Sequence, residues 1–458
     1  MRRLAEKEGS DRREGDNAMD INKLYSLFLA GGLSTDSRSI KPGQVFFALK
    51  GETFDGDRYA AQALHDGAAC AVVSEACGLT GERYISVPDT LAALKALARH
   101  HRRTVAARTG LKVIGLTGTN GKTTTKELIT AVLSRKFDVH ATAGNFNNDV
   151  GVPLTVLGIT DRTQIAVVEM GASHPEDITA LTCVCEPDYG LITNVGKAHI
   201  LGFGSYEGVK KAKGRLYDFI KERGGRIFLN ADDEVLRGMV SERGLSEPVR
   251  YGVGYQGAEV LQADSGHPFL RLSLPSGKSS RVLETNLVGD YNSANVLAAV
   301  CIGRFFGVPE DDIFSAIKAY VPSNKRSQLV DTGRNKVVLD AYNANLSSMQ
   351  ASLSNFSRSF PGMPKMAVLG DMKELGSESE TCHEAVLALA LEGGIDEIVL
   401  VGPEFANVCS DAVSKGLCRW FSTSEEALDA IKEEAPHGMV ILVKGSHSMA
   451  MEKVLPAL

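Results

Sequence analysis

Lys112–Ile129 reads KVIGLTGTNGKTTTKELI, an apolar strand that runs into a glycine-bearing loop and then into a helical pattern. This is the context of a phosphate loop. Gly118 and Gly121 free the backbone to curl until successive N–H groups face one anion, and the new helix turns its positive end toward the same phosphates. By position, Lys122 would reach the β- and γ-phosphates and the Thr123 hydroxyl would bind the Mg²⁺ that bridges them. Thr117, Thr119, Asn120 and Thr124 complete the cradle. The usual G-x-x-x-x-G-K-[ST] spacing puts glycine at 116, where this chain has Leu116, so the loop is a variant. No Asn-Lys-x-Asp guanine-reading motif occurs; Asn324-Lys325-Arg326-Ser327 lacks the acid, which favours ATP over GTP.

Downstream, the strand Ile165–Met170 carries Glu169 near its end, where it would deliver a carboxylate to the sheet edge beside the loop. That is a metal-ligand position, with a solvated strand-end acid as the alternative. Buried-type strands at 113–117, 165–170, 189–194 and 226–229 alternate with helix-length stretches, the pattern of a parallel sheet with crossover helices. The expectation is an α/β protein of three domains. Residues 110–321 form the central P-loop domain. Residues 322–458 repeat the alternation at 337–340, 366–370, 397–401 and 440–444, as a Rossmann-like domain. Residues 19–109 form a small N-terminal α/β domain that closes on an amphipathic helix through Leu91, Leu94, Leu97 and Ala98, ending in the basic run His100–Arg103. Residues 1–18 are almost wholly polar and read as a disordered extension or an expression remnant.

Composition sets outer bounds. The 458 residues are too many for one domain. With 43% hydrophobic and 23% charged residues and a mean hydropathy of -0.06, the chain matches an ordinary soluble fold. Fifty basic against 56 acidic residues supply no positive field to draw it onto nucleic acid. No apolar run approaches the ~20 residues of a membrane span. The eight cysteines lack CxxC spacing and read as small buried hydrophobes kept reduced in a cytoplasm. Small-molecule substrates and a monomeric chain are expected, with neither nucleic acid nor membrane as partner.

The loop TGTNGKTTT (117–125), together with GNFNNDVGVPL (144–154), EMGA (169–172), NVGKAH (194–199), GFG (202–204) and AKG (212–214), resembles the Mur ligases, which extend the peptide stem of the cell-wall precursor. The similarity covers nearly everything after residue 34. DAYNAN (340–345), LGDMKELG (369–376) and VKGS (443–446) are similar to the member of the family that adds D-alanyl-D-alanine. DSR (36–38), VFFALKG (45–51) and Asp55-Gly56 resemble the uridine-nucleotide-binding domain of the two late-acting ligases, which folate-polyglutamate synthetases lack.

The resemblance implies a reaction. The γ-phosphate of ATP is transferred to a carboxylate, giving an acyl phosphate that an amine then attacks. It implies that Glu169 and His199 join Thr123 as magnesium ligands, although magnesium prefers oxygen and a histidine here would by itself read as a loop or core residue. Lys213 as written has no lone pair to offer a cation. In related ligases the lysine at this position is carbamylated by CO₂, and the same is implied here; a solvated basic face of Lys210, Lys211 and Lys213 is the alternative. Arg215 stands where relatives often carry glutamate.

Further roles are implied by the same resemblance. Asn292 and Asn295 of GDYNSAN (289–295) would contact adenine, Arg326 the γ-phosphate and Asp340 the ribose. Lys122, Lys213, His199 and Arg326 form the catalytic set. Ser34, Thr35, Asp36, Ser37 and Arg38 would anchor the UDP-N-acetylmuramoyl-tripeptide, although Asp36–Arg38 by itself reads as a turn with a solvated charge pair. Asn145, Asn147, Asn148, Tyr342, Asn343, Asn345, Asp371 and Lys444 are further substrate candidates; Leu346 and His447 replace a frequent proline and arginine. Closure of the last two domains would exclude water from the acyl phosphate. Another amide ligase of the superfamily, making the tripeptide or polyglutamylating folates, is one alternative reading, and a P-loop switch or motor is the other.

Overall fold

The computed structural model describes residues 20–51, 53–263, 267–276 and 278–458; the stretch 1–18, expected to be an extension, lies outside them. The chain gathers into two compact units. The first contains the strands Leu33–Ser34, Val45–Phe47, Cys70–Ser74 and Tyr84–Val87, side by side in that order and all parallel. Phe46, Ala71 and Val73 are fully buried with Ala60 and Ala63 of the helix Ala60–His65. Asp89 caps the helix Thr90–Thr109 by accepting from the N–H groups of Leu91 and Ala92, and left-handed Gly110 ends it.

Two later segments, 149–161 and 183–186, belong to this same unit. The helix Gly151–Leu157 packs on Thr90–Thr109 and buries Val152 and Val156 completely. His101 Nε2 donates to the Ile159 carbonyl at 2.8 Å while its Nδ1 accepts from the Tyr25 hydroxyl at 3.1 Å. Burial lowers the pKa of this imidazole, in keeping with the neutral tautomer. Arg102 donates to the carbonyls of Cys185 (3.2 Å) and Glu186 (2.6 Å), and Arg103 pairs with the Glu186 carboxylate. The basic run at 100–103 therefore fastens returning chain onto the helix.

The second unit, Leu111–Asn148, Arg162–Thr182 and Pro187–Leu458, holds two six-stranded sheets. In the first, the order is Val249–Tyr251, Arg226–Asn230, Tyr189–Ile192, Lys112–Thr117, Ile165–Glu169, Val139–Ala141, all parallel. The chain enters at Lys112–Thr117, and the later strands extend to either side, so strand order reverses there. Ligands of open α/β sheets bind beyond the carboxyl ends at such a switch point. The helices Lys122–Leu133 and Ser293–Phe305 pack together, burying Leu128, Ile129, Val132, Val296 and Val300 with the strand residues Ile114 and Leu116.

The sequence pattern did not anticipate the small antiparallel sheet Glu259–Leu261, Arg271–Ser276, Ser279–Glu284, which adds Leu272, Leu274 and Leu283 to that core. The second six-stranded sheet runs Gln328–Asp331, Lys336–Asp340, Val440–Lys444, Lys365–Gly370, Glu397–Val401, Arg419–Phe421, antiparallel only at its first pair. Separate apolar clusters cover its two faces, as a mostly parallel sheet requires. Among the described residues no helix is long and apolar enough to cross a membrane, and all eight cysteines are free.

Candidate active site

Register builds the site. Leu116 lies opposite Glu169 and Thr117 opposite Ile192, so the phosphate loop leaves the sheet between the ends of two neighbouring strands. Gly118 (φ +151°) presses against Thr193, and a Cβ there would meet Thr193 Oγ1 at 1.9 Å; a Cβ on Gly121 (φ +78°) would meet the Asn295 amide at 2.5 Å. Neither position admits a side chain. The loop's flank is tied down by Thr119 N–H to the Asn194 carbonyl (3.0 Å) and Asn120 N–H to Asn194 Oδ1 (2.9 Å).

Two lysines meet at one oxygen. The Gly118 carbonyl accepts from Lys122 Nζ at 2.9 Å and from Lys213 Nζ at 3.0 Å, and Lys122 also donates to Thr119 O at 3.1 Å. Burial lowers Lys122 to about 8, with Glu169 pulling it up and Arg326 pushing it down. Lys213 is held well below the usual lysine range, first by burial and then by the charge of Lys122. It is 3% exposed, whereas Lys211 is exposed and Lys210 pairs with Glu242 at 2.9 Å. The solvated face thus contains Lys211 but not Lys213.

Glu169 is fully buried. Its Oε1 accepts from Thr123 Oγ1 (3.1 Å) and Asn147 Nδ2 (2.9 Å). Among the described residues Oε2 has no hydrogen-bond partner, and the buried Lys126 ammonium stands 3.6 Å away. A buried carboxylate oxygen left open beside a threonine hydroxyl suits a magnesium ion, which needs one or two carboxylates and completes its shell with phosphates and water. Among the described residues no three His, Cys, Asp or Glu side chains cluster as a metal cage. His199, left-handed at φ +53°, pairs through Nδ1 with Glu374 of the last domain. Burial lowers its pKa against the pull of Glu374. A carboxylate accepting from Nδ1–H orients the ring and leaves the free lone pair on Nε2.

The remaining candidates divide by how their polar groups are used. Arg326 lays its guanidinium 3.8 Å over the Tyr342 ring, and its buried Nε has no hydrogen-bond partner among the described residues. Asp340 accepts from Lys444 Nζ at 2.5 Å at the matched ends of adjacent strands. Asn292 and Asn295 are buried in an internal chain: Asn295 accepts from Thr125 Oγ1 (3.0 Å) and donates to Asn292 Oδ1 (2.9 Å), while Asn292 donates to Val288 O (2.9 Å). Thr117 and Thr124 are buried; Asn145, Asn148 and Asn343 are exposed.

Asp371, expected at the substrate, is engaged by the protein itself. Its carboxylate is fully buried and accepts from the N–H groups of Glu404 and Phe405, both at 3.0 Å, at the start of the helix Pro403–Ser414, and from Lys373. The first unit's Ser34–Arg38 forms a closed turn, in which Ser34 Oγ donates to Asp36 O and Asp36 holds Arg38 side by side, with Thr35 and Ser37 half-buried. The Arg38 hydrogen bonds lower the Asp36 carboxyl to about 2.

Residues 116–303 match the family model of the Mur ligase middle domain, 325–447 that of the Mur ligase glutamate ligase domain and 30–102 that of the Mur ligase catalytic domain. The chain belongs to the Mur ligase family. It is 34% identical to the UDP-N-acetylmuramoyl-tripeptide–D-alanyl-D-alanine ligase of Bacillus subtilis, over 95% of this chain and 94% of that one. The ligase of the same name from Escherichia coli is 36% identical over 93% of each chain. Among solved structures, MurF from Thermotoga maritima in complex with ADP superposes with a TM-score of 0.83 at 27% identity, covering 94% of this chain and 97% of that one. In this Mur ligase, the sequence reading gave no role of their own to Lys126, Thr193, Asn194, Ser347 and Glu374, although Lys126, Asn194 and Glu374 lie inside quoted motifs. Lys126 lies one helical turn after Lys122, a spacing that was legible; the others act by contacts between segments far apart in sequence.

Proposed function

We propose that this chain is an ATP-dependent, ADP-forming ligase that joins D-alanyl-D-alanine to a UDP-N-acetylmuramoyl-tripeptide in peptidoglycan precursor synthesis. The observation that carries the reading is the gathering of Lys122, Thr123, Glu169 and Lys213 around one phosphate loop, in a chain whose relatives bear that ligase's name. The tripeptide carboxylate oxygen attacks the γ-phosphorus of ATP, the bond to the bridging oxygen breaks, and ADP leaves with its electron pair. The dipeptide amine then attacks the acyl carbon, loses its proton, and expels inorganic phosphate. Lys122 and Arg326 offer positive charge where negative charge develops on the transferring group.

Thr123, Glu169 Oε2 and His199 Nε2 would hold magnesium, which when bound neutralises the terminal phosphates. Lys213 would join them as a carbamate, since a buried lysine that sheds its proton has the lone pair that adds to CO₂. Thr117–Thr124 would cradle the phosphates, Asn292 and Asn295 would border the adenine and Asp340 the ribose. Ser34–Arg38 would anchor the uridine nucleotide, with Asn145, Asn147 and Asn148 along the peptide and Tyr342, Asn343 and Lys444 at the dipeptide. We assign these roles to domains at 19–109, 110–321 and 322–458 of a cytoplasmic monomer. The test supplies ATP, Mg²⁺, D-alanyl-D-alanine and UDP-muramoyl-tripeptides that differ in the third residue, and follows product by mass. Pentapeptide with one ADP per bond is expected. Absence of pentapeptide alongside glutamate addition to a folate would overturn the reading.

A further inference from the structure

Asn120 sits in the phosphate loop, yet its side chain reaches toward residues more than two hundred positions away. Its main chain is fully engaged within the middle domain: the N–H donates to Asn194 Oδ1, and the carbonyl accepts from Thr193 Oγ1 (2.6 Å) and Asn194 Nδ2 (3.0 Å). The side chain then donates through Nδ2 to Ser347 Oγ at 2.8 Å and accepts at Oδ1 from Asn345 Nδ2 at 2.9 Å. Ser347 Oγ closes the ring by donating to Asn345 Oδ1 at 2.9 Å. Each of the three side chains gives one hydrogen bond and receives one, an arrangement in which the bonds polarise one another.

The ring meets a second structure. Asn345 is the N-cap of the helix Leu346–Arg358, accepting from the Ser348 N–H at 2.9 Å in a reciprocal capping box. One amide therefore terminates the helix and grips the loop. Gly196 permits the approach, since a Cβ there would meet Ser347 Oγ at 3.1 Å and Thr119 Cγ2 at 3.2 Å.

We propose that Asn120, Asn345 and Ser347 form a positioning clasp for the ligase reaction, holding the last domain against the nucleotide loop so that Arg326 is delivered to the phosphate bound there. The inference rests on the ligase reading above. It assigns Asn120 to domain docking, separate from the nucleotide contact expected of a loop residue.

The test compares three variants of the full chain. Ser347→Ala opens the ring but leaves the helix cap in place. Asn345→Asp keeps a good cap yet removes the donor to Asn120. Ser347→Thr keeps the hydroxyl. Turnover is expected to fall about tenfold in the first two and to stay near wild type in the third, the loss being that of one hydrogen bond. ADP affinity, measured by calorimetry without the other substrates, should stay within about twofold for all three. The pair Asn120→Ala and Ser347→Ala should together cost no more than either alone. Undiminished turnover in Ser347→Ala, equal losses in turnover and ADP affinity, or additive effects in the double variant would overturn the clasp. A wild-type chain that makes no pentapeptide would instead overturn the ligase reading, and the Asn120 and Asn345 side-chain amide resonances, compared between wild type and Ser347→Ala, would still report whether the ring holds.

Discussion

At the Gly118 carbonyl two buried lysine side chains converge, and the loop gathers their positive charge with no anion of its own to balance it. Lys122 at about 8 makes this measurable. Nucleotide phosphates favour its charged form and raise its pKa. Above about pH 8 the free chain has shed the proton that the bound chain keeps, so binding takes a proton up and affinity falls as pH rises, by at most about tenfold per pH unit. Calorimetry near pH 9 in buffers of different ionisation heat should show uptake approaching one proton; no uptake would mean that Lys122 does not face the phosphates. Lys213→Ala should lose activity by about a hundredfold or more, with partial recovery on adding a short carboxylic acid. Full activity without added acid would remove the carbamate. Both lysines were legible in the sequence, one by loop spacing and one by family likeness, but their convergence on one oxygen was not, because it depends on the fold of a helix that starts more than eighty residues later.

Among the elements, Asp371 shows a polar residue of a family motif bound to the start of a helix. Gly402 leaves space for it, since a Cβ there would strike the carboxylate at 2.4 Å, and the N–H groups of Glu404 and Phe405 bind it. Asp371→Ala strands those donors and should cost about 2–4 kcal/mol of stability while leaving ADP affinity unchanged, as thermal melting and calorimetry would show. Unaltered melting with a raised dipeptide KM would restore the substrate role. The central strands were legible because both faces are buried and their apolar runs are continuous: Glu397–Val401 and Val440–Lys444 lie where the pattern puts them. Short edge strands such as Val139–Ala141 and Arg419–Phe421 bury too little to leave a signature. The alternation Leu270, Leu272, Leu274 was a readable two-residue period that the expectation of a purely parallel sheet obscured.

For the molecule as a whole, the joint between the last two domains is held at both ends. Glu127, on the phosphate-loop helix, accepts from the Tyr320 hydroxyl (2.5 Å) and the Asn324 amide (3.0 Å), while Lys325 pairs with Glu452 at 2.7 Å. Between these anchors Lys325 and Ser327 are left-handed, at φ 58° and 47°, bracketing Arg326. Backbone held in that region by non-glycine residues costs on the order of 1–3 kcal/mol each and persists only where the surroundings enforce it. Glu127→Gln, which weakens the anchor, should lower kcat about tenfold and leave the ATP KM within about twofold, because a small misplacement of Arg326 affects the transferring phosphate more than the resting nucleotide. Parallel changes in both constants would remove the joint from catalysis.

The first compact unit borrows residues 149–161 and 183–186 from beyond its own helix, and this has a consequence for biosynthesis. The surface of Thr90–Thr109 that receives Val152 and Val156 leaves the ribosome well before they do, and Arg102 and Arg103 wait longer still for Glu186. At ordinary elongation rates that interval is on the order of ten seconds, during which an apolar helix face is open to chaperones or to other nascent chains. A gene cut after Gly110 would make the interval permanent, yielding a leading fragment with an uncovered helix and a trailing one whose Gly151–Leu157 helix has lost the helix it packs on.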